Sequence, residues 1–104
     1  MLQARLKESI KNHSIYWQKH ALQRMMERDI SRQEVLKAIE SGIIIESYSD
    51  DYPFPSVLIA YIVDGKPLHA VVAYDDIKSE TYVITAYIPD EKHFENDLIT
   101  RKTI

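Results

Sequence analysis

Residues 20–34 read HALQRMMERDISRQE and set His20, Arg24 and Arg28 at successive four-residue steps. On a helix, with about 1.5 Å of rise per residue, His20 and Arg24 would lie roughly 6 Å apart along the axis and about 40° apart around it. Near a helix start the dipole disfavours the imidazolium, leaving a neutral ring able to accept a proton. Arginine stays charged, and its planar fork suits phosphate oxygens. The pattern therefore reads in two ways. It is an anion-handling site, or a solvated face on which Glu27 pairs with a neighbouring arginine.

His69 is the second candidate. It falls in PLHAVVAYD, where strand alternation sends His69, Val71 and Ala73 to one face and Leu68, Ala70 and Val72 to the other. A histidine in so apolar a strand needs a hydrogen-bond partner or a cleft. In YVITAYIPD, Thr85 and Tyr87 share a face, with Ile84, Ala86 and Ile88 opposite. Hydroxyl and imidazole groups on one sheet face could floor a site.

Other chemistries find less support. There is no cysteine, so disulfides, thiolate zinc sites and a Cys nucleophile are excluded. The histidine spacings match no zinc pattern, and HxxxxR is not HExxH. Asp50-Asp51 and Asp75-Asp76 fall in expected turns, where Asp is favoured for backbone reasons. Two glycines cannot build a phosphate loop, and no GxSxG elbow occurs. His13 and His93 lie in polar contexts, and the tyrosines read as core or rim. Neither a metal nor a cofactor is expected.

These residues must be positioned by one domain, since 104 residues support a modest core and not two. No signal-peptide core or apolar run of roughly 20 residues is evident, so a cytoplasmic, membrane-free protein is expected. The net charge of −3 is divided unevenly. Residues 1–37 hold eight basic and four acidic side chains, net +4, which leaves −7 on the remainder. A general nucleic-acid coat is disfavoured, but a local phosphate site in the basic half is not.

The periodicities predict helices over about 2–12, 16–28 and 32–41. Ser31 and Glu34 match a capping box, Ile30 and Val35 a hydrophobic staple, and Gly42 a helix stop. Expected core stripes are Ala21, Leu22, Met25 and Met26, then Val35, Leu36 and Ile39. Strands follow at about 43–48, 57–63, 68–74 and 81–88, with Asp64-Gly65 a hairpin turn. A tail, 89–104, could end in a short helix. The expected class is α+β, with N-terminal helices packed on a curved four-stranded antiparallel sheet.

HALQRMMERDIS, AIESGIIIESY, PLHAVVAYD and YVITAYIPD, in that order, resemble a small bacterial family catalogued as a domain of unknown function, over about residues 16–102. That family looks like a branch of the RelE/barnase-like ribonuclease toxins. Its members are often encoded beside a zinc-finger, helix-turn-helix antitoxin similar to the partner of MqsR. The resemblance covers His20, Arg24, Arg28, His69, Thr85 and Tyr87, with Arg101 near the end. It implies a metal-independent endoribonuclease toxin acting on RNA, free or on the ribosome, with an antitoxin partner and no direct DNA contact. His20 or His69 would be the base and the other the acid, with Tyr87 an alternative acid. Arg24 would stabilise transition-state charge, with Arg28, Thr85 and Arg101 binding substrate. His20, Arg24, His69 and Tyr87 should then open on one cleft. The alternative is a non-enzymatic interaction or regulatory module of the same fold.

Overall fold

The capping signal at Ser31 marks the best-determined helix start. The Ser31 hydroxyl accepts the Glu34 backbone N–H at 3.1 Å, and the Glu34 carboxylate accepts the Ser31 N–H at 2.8 Å. This bond, more than the nearby Lys66 ammonium, holds the Glu34 carboxyl below its usual range against the opposing effect of burial. Its stabilisation is therefore present above the ordinary Glu range and is lost as pH falls through the lowered value. Ile30 and Val35, the staple pair, are both buried.

The computed structural model describes residues 2–63 and 65–89. The elements run α1 (Leu2–Lys11), β1 (Ile15–Trp17), α2 (Lys19–Glu27), α3 (Arg32–Ser41), β2 (Ile43–Tyr48), β3 (Ser56–Val63), β4 (Lys66–Asp75) and β5 (Glu80–Tyr87). β2, β3, β4 and β5 form an antiparallel meander, in which Val63 pairs with Lys66 across a tight turn. Gly65 in that turn has φ 79°, a left-handed conformation that glycine adopts without a Cβ penalty. The expected terminal helix lies outside the described residues. No described helix is long and apolar enough to cross a membrane.

The expected four-stranded antiparallel sheet is corrected to five strands in the order β1-β5-β4-β3-β2, with β1 parallel to β5. Ile15, Tyr16 and Trp17 were expected at a helix start. They extend instead, as β-branched and aromatic residues favour, and pair with Thr81, Tyr82 and Val83. Helix α2 accordingly begins at Lys19, after Gln18.

All three helices lie on one sheet face. Ala21 and Met25 of α2, Val35, Ala38 and Ile39 of α3, and Leu6 of α1 join Val57, Ile59, Leu68, Ala70, Val72, Val83 and Ala86 in one core. Two expected core positions differ. Met26 is 82% exposed, and Ala38 rather than Leu36 is the fully buried small residue of α3. α1 is also pinned by a buried polar link, in which Thr81 donates to the Ser9 hydroxyl at 2.9 Å and Ser9 to the Arg5 carbonyl at 3.1 Å.

Two β-bulges break the alternation of the sheet. One lies between Ile44 and Glu46 of β2, and the other offsets β5 between Val83 and Thr85 against consecutive β4 residues. Both fall in the cross-strand row of Leu58 and Val71, where such bulges bend and twist a sheet.

Gly42 is needed for space rather than for backbone freedom, because its φ is −77°. A Cβ there would stand 2.4 Å from the Ala38 carbonyl oxygen and 2.5 Å from Ile59 Cγ2. Gly42→Ala should therefore destabilise the fold by about 1–3 kcal/mol. Urea unfolding checks this, as a lowered midpoint with an unchanged slope.

Candidate functional site

Register determines what the face opposite the helices presents. Core residues Leu68, Ala70 and Val72 look towards the helices, so His69, Val71 and Ala73 look away. His69 pairs directly with Tyr87, and Val71 with Thr85. The His69 and Tyr87 rings meet edge to face, with centroids 5.5 Å apart and planes at 65°. His69 is only 1% exposed, while Tyr87 and Thr85 are partly exposed. In the Thr85 row, Glu46 sits across Leu58 and Val71, roughly 14 Å away at about 4.8 Å per strand. It accepts a hydrogen bond from the Tyr48 hydroxyl.

Helix α2 packs on the other face through Ala21 and Met25, and its candidates spread along its flank. His20 is exposed. Arg24 is 61% exposed and lies 3.5 Å from Glu27, the pairing that a solvated face would show. Arg28, at the end of the helix, donates to the Ala86 carbonyl at 2.9 Å. β1 covers β5 only as far as Val83, so Arg28 supplies a donor to β5 beyond the end of that edge strand. The structure thus brings together His69, Tyr87 and Thr85. It does not bring His20 and Arg24 onto their face. Arg28 touches the residue next to Tyr87 from the helix side, and Arg101 lies outside the described residues. Among the described residues, no three His, Asp or Glu side chains gather as a metal-ligating group. A cleft of about 430 Å³ between α1 and the sheet is lined by Leu2, Leu6, Pro55, Val57, Val72 and Tyr74, with the Arg5–Asp76 ion pair also on its wall. It holds none of the candidate residues.

An aromatic cluster was missed by sequence reasoning. Tyr16 stacks on Tyr82 at 5.6 Å and 29°, and Phe54 stacks on Tyr82 at 5.6 Å and 6°. The only local signal was the run Ile15-Tyr16-Trp17, whose bulky residues favour a strand. The Tyr82 hydroxyl donates to the Glu80 carboxylate at 2.7 Å. That bond stabilises the neutral phenol and, with the negative charge of Glu80, pushes its pKa up to about 12. Glu80 also raises the pKa of Tyr16, chiefly by charge repulsion. Tyr82 should therefore stay neutral to higher pH than a free tyrosine. Glu80→Gln should return its ionisation towards 10, read by ring NMR shifts or absorbance near 295 nm.

No curated protein and no solved structure matches the chain significantly. A family model described as "Domain of unknown function (DUF4258)" matches residues 17–88, from the last residue of β1 to just past β5. That span includes every candidate residue except Arg101, together with Tyr82 and Phe54 of the aromatic cluster, and excludes α1. The chain belongs to the DUF4258 family.

Proposed function

We propose that the chain is a toxin-type, metal-independent endoribonuclease whose reacting groups lie on the sheet face opposite the helices. The observation that carries this reading is the direct cross-strand pairing of His69 with Tyr87, with Thr85 on the same face. The resemblance to RelE/barnase-like toxins supplies the activity in this reading, and the structure shares with it the α+β class, although β1 falls between α1 and α2. RNA, free or on the ribosome, is the substrate in this reading, and a zinc-finger, helix-turn-helix antitoxin is the inhibitory partner.

The reaction needs a base to take the ribose 2′-hydroxyl proton and an acid to protonate the departing 5′ oxygen. The 2′ oxygen attacks the adjacent phosphorus as the 5′ P–O bond breaks, giving a 2′,3′-cyclic phosphate and a 5′-hydroxyl. Tyr87, the more exposed of the pair, is the acid that gives its hydroxyl proton to the departing 5′ oxygen. His69 beside it is the base that receives the 2′-hydroxyl proton, relayed through solvent because its ring is buried. Arg28, on the helix side, is tied to the Ala86 carbonyl beside Tyr87 and positions that stretch of β5. His20 and Arg24 take no part in this mechanism, because they belong to a helix on the other face.

The second reading, a protein-interaction module, is favoured by the burial of His69 and by the net −7 charge outside residues 1–37. One set of assays separates the two. Purified protein with defined RNA should cleave in excess EDTA, leave 2′,3′-cyclic or 3′-phosphate ends, and spare a substrate that is 2′-deoxy at the cut. Tyr87→Phe should lower the rate by about 10², the size of a lost acid–base group, with an unchanged circular dichroism spectrum. Arg24→Ala should cost less than Tyr87→Phe. EDTA-sensitive cleavage, or a Tyr87→Phe rate equal to wild type, would overturn the mechanism. Absence of cleavage on both free RNA and ribosomes, with growth unaffected by induction, would favour the interaction module.

A further inference from the structure

Strand β1 presents an aromatic ring to each face of the sheet. Trp17 turns towards the core, and the Arg32 guanidinium carbon lies 5.9 Å from its ring centroid. Tyr16 turns the other way, is 45% exposed, and leads the stack with Tyr82 and Phe54. Beside the stack stands Glu80, whose carboxylate already accepts from Tyr82 and has further acceptor positions. Asp75 pairs with Glu80 across the β4–β5 ladder. The surface combines electron-rich ring faces with the Glu80 carboxylate, and Phe54, Glu80 and Tyr82 lie on the part of the chain that carries the net −7 charge. Such a surface attracts cations and repels phosphates. Among cationic side chains, a guanidinium can lie flat on a ring while its N–H groups reach a carboxylate.

We propose that Tyr16, Tyr82, Phe54 and Glu80 form a docking site for an arginine-bearing segment of a basic partner protein. Arg32 over Trp17 is the same kind of contact, made within the chain on the other side of the same strand. The site is separate from the His69–Tyr87 pair, since Ala73, opposite Tyr82, lies four residues from His69, roughly 13 Å along β4. It does not depend on the nuclease reading.

The test uses the full chain and the peptide acetyl-Gly-Arg-Gly-Arg-Gly-amide, followed by NMR of the aromatic ring signals at low salt. Saturable shifts centred on Tyr16, Tyr82 and Phe54 are expected. A peptide with citrulline in place of arginine keeps the shape without the charge and should bind at least fivefold more weakly. Tyr16→Leu at a half-exposed position, and Glu80→Gln, should each weaken the arginine peptide about three- to fivefold, in line with an exposed cation–π contact. Well-dispersed spectra would show that both variants fold. Equal binding of the citrulline peptide, shifts centred elsewhere, or no shifts at all would overturn the proposal. So would stronger shifts of these rings with oligouridylate, which would make the stack a nucleobase platform instead.

Discussion

β4 is buried on both of its faces, and the placement of His69, Thr85 and Tyr87 follows from that constraint. Its helix-side residues Leu68, Ala70 and Val72 close the core, while His69 and Ala73 are equally hidden on the opposite side. A strand enclosed in this way must be apolar throughout apart from residues that find partners. His69 is such a residue, and it meets Tyr87 across the ladder. Chemistry on this face therefore has to pass through β5, which flanks β4, or through β2 beyond β3, whose tyrosines are partly exposed.

Charge is sorted by element in a way that matches the two layers. The helices carry Arg5, Lys7, Lys11, Lys19, Arg24, Arg32 and Lys37 against Glu8, Glu27, Glu34 and Glu40, whereas Asp75, Asp76 and Glu80 cluster where β4 turns into β5. Asp75 is spent locally, accepting the backbone N–H groups of Ile77 and Lys78. Glu80 instead accepts from the Tyr82 hydroxyl and raises the pKa values of Tyr82 and Tyr16. A cationic ligand approaching the β1 edge would meet a favourable field there, while the basic side chains of the helix layer stand on the opposite face of one small domain.

Local signals made much of this architecture legible. Helix α3 was readable because its cap, staple and stop are all encoded within a dozen residues. β2 was readable from the change of period at Gly42, and the faces of β4 and the end of β5 followed from alternation. β1 was not legible, because three residues carry no period and their partner lies more than sixty residues away. The site was half legible for a related reason. Spacing places His20, Arg24 and Arg28 on one flank of a helix, and His69 and Tyr87 on one face of a sheet. Which sheet face the helix covers is decided by burial of Ala21 and Met25, and no count along the chain states it.

The bulge in β5 has a genetic consequence. Val83 and Thr85 are two residues apart and would share a face in a regular strand, yet Val83 lies in the core and Thr85 faces away with Tyr87. Ile84, the residue between them, thus reverses the parity of everything that follows. Deleting that single codon would keep the reading frame and, because Val83 and Thr85 already pair with consecutive β4 residues, would leave a regular strand with Val83 and Ala86 still inward and Thr85 and Tyr87 still outward. What the deletion removes is the local bend and twist of the bulge. The extra residue therefore sets the curvature of this part of the sheet, whereas the assignment of its faces survives with or without it.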